Sequence, residues 1–272
     1  MVVSAFFENI LSGARAKKIP LAEALFRMRD AGLETVYVGR DSVAEFGDGL
    51  LSILEPLNLK VEGLHGWFDF GADSAGVDWK DFIDTAARWG AKHVLFVPGL
   101  IENPEEKPCR MENMVSSLKK AVTYGKEKGI AVTMENLDQI TAPYNCAEGL
   151  RWFFSQVEGL QCCFDTGNFV IHKENELALL DEFLSNVRAV HVKDRSKVKL
   201  HPKDAACICG DGSVVYPAPV GDGYMQIPAI LNRLKDAGYE GSLIAELYGC
   251  DEDYQFEAMV KSVEWLKRHI GK

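Results

Sequence analysis

The chain has 272 residues, 47% hydrophobic and 26% charged, and a formal net charge of −10. That length suits one large unit, and the composition supplies enough apolar material for a substantial core, which argues against disorder. With an acidic balance, no Lys/Arg-rich tract and no nucleic-acid motif, the surface offers phosphate backbones no general attraction, so nucleic acid is not an expected partner.

The N-terminus runs from Met1 into VVSAFF and the acidic Glu8, without the basic and long apolar regions of a signal peptide. No later stretch reaches the roughly 18 apolar residues of a membrane span. The seven cysteines, at 109, 146, 162, 163, 207, 209 and 250, are odd in number and include an adjacent pair inside an apparent strand, unlike a secreted disulfide framework. A cytoplasmic protein without membrane contact is the expectation.

In chain order, strand-like runs fall at Val2–Phe6, Thr35–Val38, Lys60–Leu64, His93–Val97, Ala131–Met134, Leu160–Phe164, Ala189–Val192 and Ser242–Ala245. Helical patterns lie between them, among them Leu21–Ala31, Trp79–Trp89, Met111–Lys128 and Ile227–Ala237. Alternation of this kind from end to end, with no linker, predicts an α/β fold: a single (β/α)8 TIM barrel over residues 1–272. Gly32, Gly90, Gly129 and Gly238 each stop a helix just before a strand and so mark the bottom face. The opposite, C-terminal strand ends are where barrel active sites are built. The weakly periodic stretch from about Arg195 to Asp222 reads equally well as a binding lid or as a packing insertion.

Four of those strand ends carry a polar residue after an apolar run: Glu135 in VTMENLD, Asp165 in CCFDTGN, His191 in AVHVKD and Glu246 in LIAELYG. Alone, each is more simply a surface or capping residue. Together on neighbouring strands they need partners for their charge, and one divalent cation supplies them. Three carboxylates and an imidazole suit manganese best, with magnesium, cobalt or zinc also fitting. The competing reading is an ion-pair network with Lys193.

The order MENLD, CFDTGN, HVKD and VGDGYMQIPAILNRLKDAGYEGSLIAEL resembles the xylose isomerase-like TIM-barrel superfamily, particularly its sugar (phosphate) isomerase/epimerase group. That group includes D-tagatose 3-epimerase, L-xylulose-5-phosphate 3-epimerase and inosose-processing enzymes. The resemblance covers the whole chain. It implies metal ligation by Glu135, Asp165, His191 and Glu246, with Glu135 and Glu246 doubling as the proton-transfer pair through a metal-bound enediolate. The implied substrate is a small sugar, sugar phosphate or polyol-derived ketone, and homo-oligomers are common in the group. A dehydratase of the inosose or dehydroshikimate type and a non-catalytic sugar-binding barrel are the alternatives. Asn168 and Thr141 stand where the ketose 3-epimerases carry a substrate-binding His and a Glu, which weakens the free-ketohexose reading. The DNA-repair nuclease branch needs further histidines that this chain lacks.

Candidate substrate contacts are His65, which could touch a substrate oxygen or act as a general acid, and Trp67 in GLHGWFDF, Asn168 and Lys193. Competing readings are a structural His65, core packing for Trp67 and Phe68, and solvated Lys193 and Lys197. His172 is expected on a helix, His93 at the bottom face and His269 on a C-terminal amphipathic helix. The Cys207–Cys209 pair has no second ligand pair nearby and is not expected to bind zinc.

Overall fold

The computed structural model describes residues 1–72 and 78–271. In chain order its strands are β1 (Val2–Phe6), β2 (Thr35–Gly39), β3 (Lys60–Trp67), β4 (His93–Val97), β5 (Ala131–Glu135), β6 (Gln161–Asp165), β7 (Val187–Val192), β8 (Asp194–Ser196), β9 (Cys207–Ile208), β10 (Val214–Ala218) and β11 (Ser242–Ala245). Eight of them close a parallel barrel in the order β1-β11-β7-β6-β5-β4-β3-β2, the (β/α)8 architecture expected from the sequence. All five residues of β2 and of β4 are buried, as befits strands packed inside the barrel and covered outside by helices.

Helices at the four expected places span Leu21–Asp30, Trp79–Arg88, Lys107–Lys128 and Ile227–Asp236. The third begins four residues ahead of the expected Met111, because Pro108 sits in its first turn, where a missing N–H costs nothing. Gly90 and Gly129 adopt φ of 71° and 73°, the left-handed conformation required of a helix stop feeding directly into a strand. No described helix is long and apolar enough to cross a membrane.

Strand ends differ from the sequence reading where pairing decides them. β3 continues past Leu64 because His65, Gly66 and Trp67 pair with Leu95, Phe96 and Val97 of β4. The stretch after Arg195 is not structureless: β8, β9 and β10 form a small antiparallel sheet in the order β8-β10-β9. The carboxylate of Asp194 accepts hydrogen bonds from the backbone N–H groups of Gly221, Gly223 and Met225, tying the far end of the loop back to its start. None of residues 196–222 lines the cavity at the barrel mouth, which favours the packing-insertion reading over the lid.

Alternate residues of each strand face the barrel axis. Below the mouth this inward set is aromatic. Tyr37 stacks between His65 and His93, with ring centroids 4.9 and 5.3 Å away. Gly63 makes room for that stack, since a Cβ there would sit 2.8 Å from both His93 and Tyr37. His93 is fully buried within the barrel, and burial pushes its imidazole down to about 3, so it is neutral.

Candidate metal centre

Four inward strand-end side chains meet at the mouth. Each of Glu135, Asp165, His191 and Glu246 offers one donor atom, and these donors lie within 4.8 Å of one another. Registers bring them level: Asp165 pairs with His191 across β6 and β7, and Glu246 follows Ala245 of β11, which pairs with Val192. His191 Nδ1 lies 2.8 Å from Glu135 Oε2 and 3.2 Å from Glu246 Oε2. Two ligands about 2.1 Å from one ion and at right angles are about 3 Å apart, so this spacing fits a shared ion.

Residues around the quartet hold it in place. Asn136 accepts from the backbone N–H of Asp165 and donates to its carbonyl oxygen, locking β5 to β6. Asp165 Oδ1 is occupied by the N–H of Gly167 at 2.7 Å, which leaves Oδ2 to face the site. Thr166 Oγ1 donates to the carbonyl oxygen of Lys193 and accepts from its N–H, fastening β6 to the chain beyond β7. Gly167 permits that approach, because a Cβ would lie 2.7 Å from the Lys193 carbonyl oxygen. The DTGN and HVKD stretches are thus two sides of one hydrogen-bonded scaffold.

Electrostatics favour a cation here. Lys193 Nζ lies 2.5 Å from Glu246 Oε1 and 3.3 Å from Asp165 Oδ2, and Arg195 pairs with Asp138 at 2.9 Å. Counting Glu135 and Asp138, and with Asp165 and His191 deprotonated as ligands must be, four carboxylates face two permanent cations, and two negative charges remain. Asp165 Oδ2 and Glu246 Oε2 are buried and make no well-formed hydrogen bond among the described residues, their nearest charged neighbours being Lys193 Nζ at 3.3 Å and His191 Nδ1 at 3.2 Å. Unpartnered buried carboxylate oxygens are costly, and a divalent ion would satisfy both their bonding and the residual charge. Burial raises the Asp165 carboxyl to about 8. Burial opposes ionisation of Glu246 too, but Lys193 and His191 outweigh it and hold that carboxyl below its usual range. The ion-pair network and the metal site therefore coexist: Lys193 offsets part of the cluster's charge, and the deprotonated quartet keeps a surplus for a divalent ion.

The chain matches the xylose isomerase-like TIM barrel family over residues 27–269. It belongs to that family. Inosose dehydratase from Clostridium beijerinckii is 29% identical over 117 residues, 40% of this chain and 37% of that protein. The match thus spans little more than a third of that relative's length. Inosose dehydratase from Lacticaseibacillus casei is 21% identical over 254 residues, 85% of this chain and 83% of that protein. Among solved structures, an IolI protein with a bound zinc atom superimposes with a TM-score of 0.75 at 17% identity, covering 100% of this chain and 98% of that one. D-allulose 3-epimerase from a Methylomonas species gives 0.74 at 14% identity, covering 99% and 98%. At such identities the structural likeness establishes the barrel alone.

In this xylose isomerase-like barrel Glu135, His191 and Glu246 line one wall of a cavity of about 600 Å³, within the range of small-molecule sites, with Asp165 fully buried behind them. His65, Trp67 and Lys193 also line it. Trp67 is 48% exposed at the rim, whereas Phe68 packs in the core against Phe82 and Phe96, so the two neighbouring aromatics part company. Two expectations are corrected. Lys193 is buried in the carboxylate web rather than solvated. Asn168 is fully buried and does not line the cavity: its amide donates to the Asn136 carbonyl oxygen, and its own oxygen accepts from Lys193 and Arg195. Its position is that of a brace for the two cations. Lys197 lies away from the cavity, over the Tyr224 ring at 4.7 Å.

Glu8, Asp138 and Tyr248 line the cavity as well and were not foreseen. Glu8 occupies the first turn of the helix Phe7–Ala16, which follows β1 without a loop, so in sequence it reads as an ordinary acidic helix start. Asp138 lies three residues past Glu135, and its signal was the LD that closes MENLD. His172 ends a short 3-10 helix, Phe169–His172, and is exposed, as expected of a helix residue outside the site.

Proposed function

We propose that this barrel is a divalent-metal-dependent enzyme that moves a proton at the carbon beside the carbonyl of a small polyhydroxylated ketone, in the manner of a sugar isomerase or epimerase. The observation that carries the reading is the convergence of Glu135, Asp165, His191 and Glu246 with buried carboxylate oxygens left unpartnered. Those four residues would hold the ion, manganese by the hardness of the donor set. Bound there, it would act as a Lewis acid on the ketone oxygen and lower the cost of the enediolate.

The chain supplies the rest. Glu135 on β5 and Glu246 after β11 stand on either side of His191, so a ketone seated between them presents one carboxylate to each face. One carboxylate takes the proton and the other returns it, which inverts the carbon; return to the neighbouring carbon gives the isomer. Lys193, held by Glu246, Asp165 and the Asn168 oxygen, keeps Glu246 ionised as a base. Trp67, Leu95 and Val97 supply apolar surface against the carbon skeleton.

The same enediolate can instead expel a β-hydroxyl, and the inosose dehydratase relatives favour this second reading. Incubation of manganese-loaded protein with cyclic and acyclic polyhydroxy ketones in deuterium oxide tests the shared step. Deuterium is expected beside the carbonyl, and its absence across the panel contradicts the proposal.

A further inference from the structure

Across the cavity from β7 stands a second acid–base pair that the two-glutamate proton transfer does not use. His65 Nε2 donates to Glu8 Oε2 at 3.1 Å, and the backbone N–H of Gly39 donates to Glu8 Oε1 at 2.8 Å. Both oxygens of this carboxylate are therefore fixed, and burial is outweighed by the contacts with His65, which hold the Glu8 carboxyl below its usual range. Gly39 makes the arrangement possible, because a Cβ there would lie 2.9 Å from the Glu8 carboxylate and 3.0 Å from the His65 ring. Tyr37 stacks on the His65 ring at 4.9 Å, and Phe6 meets it at 4.7 Å. The same two rings meet His191 at 5.2 and 4.8 Å, so the pair is placed beside the metal quartet without touching it. His65 Nδ1 makes no hydrogen bond among the described residues and is not among the buried unpartnered atoms, so it retains access to the cavity that His65 lines.

An imidazole oriented by a carboxylate on one nitrogen, with the other nitrogen open to a substrate cavity, is an arrangement for proton transfer: the carboxylate fixes the tautomer and stabilises the imidazolium. Epimerisation and isomerisation leave this pair idle, since two carboxylates already handle both protons. Elimination of water needs one group more, because hydroxide is a poor leaving group until it is protonated.

We infer that His65 is the general acid that protonates a departing β-hydroxyl, with Glu8 as its positioning residue, which selects the second reading, dehydration of an uncharged polyhydroxy ketone, over net isomerisation or epimerisation. The inference rests on the proton transfer proposed above. A carboxylate takes the proton from the carbon beside the ketone, and the C–H electron pair forms the enediolate. Those electrons then form the next C=C bond as the β-carbon–oxygen bond breaks, and the hydroxyl leaves as water with the proton from His65 Nδ1. The remaining enol tautomerises to a 1,2-diketone, and the proton on the carboxylate returns to the imidazole through solvent. One water is lost and no oxidant is required. The substrate is uncharged because the cavity's carboxylates, Glu8, Asp41, Glu135, Asp138 and Glu246, would be matched by Lys193, Arg40, the protonated His65 and a divalent ion, which leaves no free cation for an anionic group. Arg40 is already spent on the Trp67 carbonyl oxygen and the face of Phe68.

The test partitions two products of one intermediate. Manganese-loaded wild type and His65→Gln are compared on polyhydroxy ketones in deuterium oxide, following deuterium in recovered ketone and water loss by mass. Gln retains an N–H for Glu8 but has no proton to give from the Nδ1 position. The ratio of water loss to exchange is expected to fall roughly 100-fold in the variant. An unchanged ratio overturns the inference, as does wild-type exchange without any water loss, and both leave the proton-transfer reading standing. Absence of exchange in the wild type removes that reading and the inference with it. For Glu8→Gln, nitrogen NMR of the metal-free protein reads the imidazole directly. In the neutral imidazole that remains after Nδ1 has given up its proton, wild type is expected to keep its proton on Nε2, and the variant to lose that preference; an identical tautomer in both contradicts the positioning role.

Discussion

The two walls of the cavity are built in different ways. On the wall formed by β5, β6, β7 and β11, each functional residue ends a strand, and its partners come from the adjacent strand end, as Asn136 with Asp165 and Thr166 with Lys193. On the wall formed by β1, β2 and β3, the pair is assembled from a helix start, Glu8, and a strand residue, His65, that lie 57 positions apart. With its ligands deprotonated the first wall carries surplus negative charge, and two of its buried carboxylate oxygens make no hydrogen bond among the described residues, whereas in the second both oxygens of Glu8 are already hydrogen-bonded. An ion is wanted on one side only. The contrast teaches that a cation site announces itself as unsatisfied charge, and a proton-transfer pair as a satisfied one with a single free nitrogen.

Substitutions on the metal wall should do most. Glu135→Gln and Glu246→Gln are each expected to lower deuterium exchange at least about 100-fold. Exchange by either variant at wild-type rate would show that the carboxylates only bind. Next in size is Lys193→Met. Removing one partner of a buried ion pair costs about 3–5 kcal/mol, so the metal-free variant should melt well below wild type. Manganese should narrow the gap, because the ion takes over part of the cation's work; a gap of equal size with and without manganese would place Lys193 outside the site's charge balance.

Metal binding itself should be felt as stability and as protons. At an ion concentration about 100 times Kd, a native-state ligand adds about 2.7 kcal/mol, so chelation should lower Tm, and no shift on chelation would argue against the site. In the metal-free protein, burial raises Asp165 to about 8. Burial alone would lower His191, but the carboxylate and thiol around it outweigh this and hold its imidazole well above the ordinary value. Both therefore carry protons near pH 7, and both must lose them to act as ligands. Manganese affinity is expected to rise with pH through about 8 and to fall as pH drops. Calorimetry in buffers of different ionisation enthalpy should register proton release, and binding without release would contradict these assignments. The smallest effect sharpens the scaffold. Gly167→Ala must displace the Lys193 backbone and should cost about 1–3 kcal/mol, seen as a lower urea midpoint with the metal site retained; an unchanged midpoint would free the DTGN turn of its packing role.

The difference between the walls also governs what the sequence reveals. Glu135, Asp165, His191 and Glu246 were legible because each interrupts an apolar run at the end of a strand, and the β/α alternation says which end is the top. Trp67 was harder: strand-end aromatics are more often core than rim, and only the pairing of β3 with β4 through Trp67 and Val97 carries it to the mouth. Asn168 sits in the signature beside Asp165 but turns toward Lys193 and Arg195, which periodicity cannot foresee. Of the short strands, β8 and β9 were missed because they run only three and two residues, and β10 because its register is set by tertiary pairing with them and by contacts such as Asp194 with Gly221. Glu8 was invisible because nothing local distinguishes it from any acidic residue in a helix's first turn.

The claim on which all of this depends is that one ion in the Glu135, Asp165, His191, Glu246 quartet enables proton exchange beside a ketone. Deuterium incorporation into a polyhydroxy ketone, measured before and after stripping the protein with a chelator and again after adding back manganese, tests it most directly. Exchange should be present, lost and restored in that order. Exchange that survives complete removal of the metal would contradict the account.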